Sequence, residues 1–93
     1  MLELGYFAKT WVLDVTSASD AFDNPGNGQT FVVRADRKVH LARSNDAGAE
    51  ATTDDCPLLE NEAARFAMEA GGSLAFILAD GETDGKIYIT QVN

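Results

Sequence analysis

The residue types best suited to metal chemistry lie near the C-terminus, in the stretch "LADGETDGKIYIT". Asp80, Glu82 and Asp84 alternate along this stretch, and Gly85 and Ile87 follow them. A calcium-binding loop carries side-chain oxygens at its first, third and fifth positions, glycine at the sixth and an apolar residue at the eighth. The stretch meets these requirements and is therefore a candidate calcium site.

The end of the same stretch argues against a metal site. Its twelfth position would be Gln91, whose neutral amide cannot supply the bidentate carboxylate that closes such a loop. The flanking segments "SLAFILA" and "KIYITQV" have the composition of strands rather than of helices. We therefore predict a β-hairpin turn without a metal. Weak surface calcium binding by Asp80, Glu82 and Asp84 is the alternative.

Catalytic groups are few in this sequence. His40 is the one histidine, and it lies between Val39 and Leu41 in an alternating segment, which directs its ring to solvent or to an interface. Cys56 is the one cysteine, and it follows two carboxylates, a setting that disfavours a reactive thiolate. We predict an inert, partly buried thiol. The chain also contains no nucleotide-binding glycine loop, so the sequence predicts neither enzymatic activity nor a cofactor.

The charge of the chain limits its partners. Its 93 residues include 15 acidic and 7 basic side chains, which give a formal net charge of -8. This charge opposes binding to a phosphate backbone or to an anionic membrane surface. No apolar run is long enough to cross a bilayer, and the N-terminus lacks a signal-peptide pattern. We expect a soluble protein with no nucleic-acid partner and no membrane partner.

Short strand-like segments recur along the chain, separated by clusters of turn-forming residues. They are "TWVLDVT", "QTFVVRA", "KVHLARS", "SLAFILA" and "KIYITQV". In the last segment, Ile87 and Ile89 alternate with polar residues, as in a strand with one buried face. The pattern predicts an all-β fold, a small antiparallel β-sandwich that is jelly-roll-like and has about six to eight short strands.

Segment 60–70 is compatible with two structures. Its local propensity favours a helix, which Gly71 would end. As a strand it would bury one face, formed by Ala64, Phe66 and Met68. We choose the strand, because the glycine pair that follows then connects it directly to "SLAFI".

The length of the chain indicates one domain. We assign residues 11–93 to a single β-sandwich, and residues 1–10 either to an extended N-terminal arm or to a first strand. Residues 44–55 contain no large apolar side chain and are predicted to form an exposed loop.

From residue 29 onward, strands and turns follow one another in a particular order. The order is an arginine-bearing strand ("VVRAD"), a strand with a small polar loop ("VHLARS"), a loop of Ala, Thr and Asp ("AEATTDD"), a leucine near a turn ("PLLENE"), a strand with a glycine turn ("ARFAMEAGG"), an "LAFI" strand and a final strand ("GKIYITQV"). This plan resembles the small β-sandwich structural proteins of tailed bacteriophages, the group that includes capsid decoration and cement proteins.

The resemblance implies a non-enzymatic virion protein, made in the host cytoplasm, that binds the major capsid protein on the capsid surface and stabilises the shell. It implies a homo-oligomer, with a trimer favoured. The candidate contact residues are Leu2, Leu4, Tyr6 and Phe7 of the arm, Trp11, and the basic side chains Arg34, Arg37 and Arg43. A neck, tail or fibre-base component is one alternative, and a calcium- or carbohydrate-binding β module is another.

Overall fold

The structure is a computed structural model that describes residues 7–26 and 29–92. The described residues form eight strands and no helix. The strands are β1 (Phe7–Val15), β2 (Asp20–Asp23), β3 (Gln29–Ala35), β4 (Val39–Ser44), β5 (Cys56–Leu58), β6 (Ala63–Met68), β7 (Ser73–Leu78) and β8 (Gly85–Val92).

The strands form two four-stranded antiparallel sheets. The strand order is β1-β8-β3-β6 in sheet I and β2-β7-β4-β5 in sheet II. β1 pairs with β8, β2 with β7, β3 with β6, and β4 with β5, so the first half of the chain folds back along the second half. This is the strand arrangement of a jelly roll, and it confirms the predicted all-β sandwich.

Successive strands alternate between the two sheets, except that β4 and β5 are neighbours in sheet II. The predicted hairpin around Asp80–Gly85 is therefore wrong, because β7 belongs to sheet II and β8 to sheet I. A turn is present, since the amide of Glu82 donates to the carbonyl of Ala79 (3.1 Å) and Gly81 has φ 86°. The connection joins the two sheets instead of two paired strands.

Four aromatic rings pack against one another between the two sheets. The ring of Phe31, which is fully buried, lies 5.5 Å from that of Phe66 and 5.9 Å from that of Phe22 between centroids. The Trp11 ring lies 5.0 Å from that of Phe22. Aromatic pairs at such separations contribute about 0.5–1.5 kcal/mol beyond the area that they bury. Because these residues come from β1, β2, β3 and β6, the cluster joins sheet II to both edges of sheet I.

The strand interpretation of segment 60–70 is confirmed. Ala64, Phe66 and Met68 face the core from β6, and Met68 is 1% exposed. The strand ends in a turn in which the amide of Gly72 donates to the carbonyl of Glu69 (2.9 Å). Pairing with β3 outweighs the local helix propensity, since it satisfies the backbone and buries the apolar face together.

Two short strands, β2 and β5, are not among the segments that the sequence identifies. β2 has the sequence "DAFD" and contains one buried side chain, Phe22. β5 has the sequence "CPL" and buries Leu58. Segments of three or four residues are too short to show a period of two, and β7 and β4 supply their pairing partners.

The connection between β4 and β5 folds back onto sheet II. Ser73 is fully buried, and its hydroxyl donates to the carbonyl of Asp46 (2.6 Å) and accepts from the amide of Ala49 (2.9 Å). The amide of Ala51 donates to the hydroxyl of Ser19 (2.8 Å). Most of the predicted loop is exposed, but Ala51 is buried.

Candidate interaction surface

The outward side of sheet I carries the side chains that alternate with core residues on its strands. On β8, Ile87 and Ile89 are fully buried, so Lys86, Tyr88 and Thr90 point outward. The same alternation on all four strands defines the sheet I face, which consists of Thr10, Val12, Asp14, Thr30, Val32, Arg34, Ala63, Arg65, Ala67, Lys86, Tyr88, Thr90 and Val92. This face carries three cationic side chains and one carboxylate, although the net charge of the protein is -8.

An arginine and a tyrosine stack at the centre of the sheet I face. Arg34 and Tyr88 are cross-strand partners, and Cζ of Arg34 lies 4.8 Å from the centroid of the Tyr88 ring. Nη1 of Arg34 also donates to Oδ1 of Asn61 (3.2 Å). A cation over an aromatic ring at the protein surface contributes about 0.5–1 kcal/mol. The two contacts favour one orientation of the exposed guanidinium in the free protein.

A shallow hollow of about 220 Å³ lies beside this pair. Val32 lines it and is only 9% exposed, although its side chain points away from the core. The hydroxyls of Thr10 and Thr90 are 2.9 Å apart along the same row of the sheet. The hollow is therefore mainly apolar, with a hydroxyl pair and the arginine as its polar groups. Small Ala63 on β6 keeps it open.

Val12 lies at the edge of the face and is 57% exposed. Among the described residues, one other large hydrophobic side chain is exposed to the same extent, namely Leu59 at 56%. Val12 lies opposite Tyr88 in the register of β1 and β8, so the tyrosine, the hollow and the valine form a continuous surface. Tyrosine and arginine are enriched in protein interfaces, and Tyr88 and Arg34 both line the hollow in this surface.

Asp14 and Lys86 form an ion pair beside Val12. A hydrogen bond to Asp14 and the negative charge of that carboxylate raise the pKa of the Lys86 ammonium above its ordinary value. Both side chains are exposed, with 52% of Lys86 and 72% of Asp14 accessible, so the pair contributes little to stability.

The carboxylates of the alternative calcium site lie on one connection between the two sheets. Asp80 and Asp84 are exposed and Glu82 is half-buried on the connection between β7 and β8. Within residues 7–26 and 29–92, no three His, Cys, Asp or Glu side chains converge as metal ligands would. Asp84 instead lines a cleft of about 490 Å³ together with Asp14 and Asp36.

The other candidate reactive groups are His40 and Cys56, on neighbouring strands of sheet II. His40 is half-buried, and its Nδ1 donates to the carbonyl of Asp55 (2.9 Å), so the ring holds the β4–β5 connection in place. Cys56 is exposed, and the prediction of a partly buried thiol is wrong because β5 is an edge strand of sheet II. The described residues bring no nucleophile and base together around either group.

The predicted contact residues are spread over several parts of the molecule. Leu2, Leu4 and Tyr6 lie outside the described residues, and Phe7 begins β1 with a side chain that is also outside them. Trp11 is half-buried against the core. Of the basic candidates, Arg34 lies on the sheet I face, Arg37 lies in the β3–β4 connection, and Arg43 lies near the end of β4 in sheet II.

Val12, Tyr88 and Arg65 were not among the residues predicted to make contacts. The alternation on β8 could have identified Tyr88, because it falls between two core isoleucines. Identifying Arg65 and Val12 as surface candidates required the strand order. Nothing in the sequence indicates that β6 and β1 flank β3 and β8 in one sheet.

No family model, curated protein or solved structure matches the chain. The described part of the chain contains no helix that is long and apolar enough to cross a bilayer.

Proposed function

We propose that this protein is a non-enzymatic structural protein of a phage virion, which binds the assembled capsid through the sheet I face and stabilises the shell. In this role it contacts the major capsid protein and needs no cofactor. The strand and turn plan that resembles phage decoration and cement proteins supports the class of function, and the sheet I face supports the mode of binding.

The observation that carries the proposal is the oriented arginine beside a mainly apolar hollow on the sheet I face. Arg34 is held by Tyr88 and by Asn61, and the hollow next to it offers apolar contact. A side chain that is already oriented loses less conformational entropy on binding. Such a face fits a folded partner that presents an acidic group beside an apolar side chain, as a capsid subunit could.

The distribution of charge supports a specific contact. Cationic side chains on the sheet I face would attract an acidic patch, while the overall charge of -8 keeps free copies soluble and repels the packaged nucleic acid. Jelly rolls also occur in lectin and cupin domains, so the fold alone is compatible with several functions. One function is therefore distinguished from another by the residues of the surface.

Counting the copies of the chain in purified phage particles tests the proposal. A protein that covers the capsid surface is expected in hundreds of copies, because it follows the symmetry of the shell. A count of about a dozen or fewer would place the chain in the neck, tail or fibre base. Complete absence from the particle would overturn the virion assignment.

Isothermal titration with calcium separates this proposal from a calcium-binding β module. The proposal expects no heat of binding up to millimolar calcium, the range in which weak extracellular modules bind. Binding that disappears when Asp80, Glu82 and Asp84 are replaced by their amides would favour the β module instead.

A further inference from the structure

Each sheet of the sandwich has two edge strands, and three of these four edges are protected. β2 has four residues with aspartate at both ends. β5 has three residues and contains Pro57, which has no amide hydrogen to donate. β6 has six residues and carries Arg65 near its middle, with alanine at three of the other positions. Short strands, proline and charge are the usual means by which an edge avoids pairing with another chain.

β1 differs from the other three edges. It has nine residues and contains no proline, and within residues 7–26 and 29–92 it pairs with one strand, β8, on one of its sides. A one-sided strand presents a row of unpaired amides and carbonyls to solvent. From Lys9 to Val15 the register with β8 is continuous, so this row is regular over seven residues.

The side chains of β1 are incompletely covered on both faces. On the core side, Trp11 and Leu13 are half-buried, although they pack against the core. On the outward side, Val12 is 57% exposed. One more strand beside β1 would cover all three side chains and would satisfy the backbone groups as well.

We propose that the β1 edge pairs with β1 of a second copy of this chain, antiparallel and about a two-fold axis that passes beside Val12. The axis is perpendicular to sheet I. The core-facing sides of the two copies therefore lie on the same side of the joined sheet. Val12 then lies directly opposite Val12 of the second copy, and the two sheets I join into one continuous sheet.

This register suits the charges of the strand. Lys9 and Asp14 are the charged residues of β1, so the edge is neutral within a protein of net charge -8. Asp14 of one copy lies opposite Thr10 of the other, whose hydroxyl can donate to the carboxylate. The two Asp14 residues are four positions apart along the pair, roughly 13 Å, and each keeps its own Lys86. Two highly acidic copies can therefore meet at this edge without placing like charges opposite each other.

The proposed pair closes at two copies and does not depend on the virion role, because it can be measured on the purified chain alone. It differs from the trimer implied by the resemblance, since a contact about a two-fold axis cannot build a three-fold ring. It also leaves Arg34 and Tyr88 of both copies uncovered by the partner, on the same side of the joined sheet.

Sedimentation of the full chain from micromolar to near-millimolar concentration tests the proposal. The expected result is a monomer–dimer equilibrium. Val12→Lys places two cations opposite each other and should raise the dimer Kd by about tenfold or more. Leu59→Lys is the matched control, because Leu59 is equally exposed but lies in the β5–β6 turn. It should leave the Kd unchanged, and circular dichroism should show that both variants keep the fold.

Disulfide trapping tests the register. With Cys56 replaced by serine, Val12→Cys should form a covalent dimer, because opposite residues of an antiparallel pair have Cα atoms about 4.5–5.5 Å apart, within disulfide range. Asp14→Cys on the same edge should form no covalent dimer, because the two Asp14 positions are too far apart in this register for a disulfide. A wild-type monomer at all concentrations, a trimer, equal trapping at both positions, or a dimer weakened by Leu59→Lys and not by Val12→Lys would each overturn the proposal.

Discussion

Asp36 and Lys86 are joined by two hydrogen bonds of opposite direction. Oδ1 of Asp36 accepts from the backbone amide of Lys86 (2.8 Å), and the backbone amide of Asp36 donates to the carbonyl of Lys86 (3.1 Å). The pair connects the residue that follows β3 to the beginning of β8, two segments fifty positions apart in the chain. It therefore holds the central strands of sheet I in register at one end of the sandwich.

Asp36→Ala should destabilise the protein. The substitution removes the acceptor of a charge-assisted hydrogen bond at a half-buried position, which should lower the free energy of unfolding by about 1–2 kcal/mol. Urea unfolding followed by tryptophan fluorescence measures this change through Trp11. Asp84→Ala is the control, because Asp84 is an exposed carboxylate that lines the same cleft. Equal losses in the two variants would show that the Asp36 hydrogen bond has no special role.

Gly85→Ala should also destabilise the protein, for a steric reason. A Cβ atom at position 85 would lie 2.7 Å from Oδ1 of Asp36 and 2.8 Å from Cγ of Arg37. Crowding in a packed region costs about 1–3 kcal/mol, and thermal unfolding should show the loss. Gly26→Ala has open space around the new methyl group and should leave the midpoint nearly unchanged. A neutral Gly85→Ala would mean that the β3–β4 connection adapts easily.

Reversal of charge on the sheet I face should weaken capsid binding more than reversal elsewhere. Arg34→Glu and Arg43→Glu change the net charge equally, and both residues are exposed, but only Arg34 lies on the proposed contact surface. Loss of a charged contact in an interface costs about 2–5 kcal/mol when the partner group is left buried, so Arg34→Glu should reduce affinity by tenfold or more.

The measurement is co-sedimentation of the purified chain with capsids that lack it, at several salt concentrations. Affinity of the wild-type chain should fall as salt screens the cationic face. Indistinguishable affinities of the two variants would contradict binding through the sheet I face, and stronger loss in Arg43→Glu would move the contact to sheet II.

The pKa of Lys86 should respond to Asp14. The hydrogen bond and the charge of Asp14 raise this pKa, so Asp14→Asn should return it toward the ordinary lysine value. Because the pKa is raised in the folded state, the stabilisation is fully present below the unfolded-state pKa. It is lost as pH rises through the folded-state pKa, above ~10.4. Alkaline NMR titration of the Lys86 Cε resonance measures the shift, with Asp84→Asn as the control. An unchanged pKa in Asp14→Asn would assign the shift to another group.

Local alternation determined most of the strands of this protein. Segments such as "KIYITQV" place isoleucines on one side and polar residues on the other, so period and composition suffice to recognise a strand with one buried face. The same reasoning assigned Phe66 and Met68 to the buried face of β6, against the helix propensity of their neighbours. The sequence also showed that Asp80, Glu82 and Asp84 lack the closing carboxylate of a calcium loop.

The tertiary structure alone decided which strands are neighbours. Short polar connections suggested hairpins, yet β7 and β8 lie in different sheets, because burying the apolar face of each strand requires the chain to cross between two layers. Arg34 and Tyr88, which are 54 positions apart, become cross-strand partners only through that crossing. Val12 is exposed for the same reason, since the strand order leaves β1 at an edge. Alternation is a property of neighbouring residues and is visible in the sequence, whereas pairing over long separations depends on the packing of the whole sandwich.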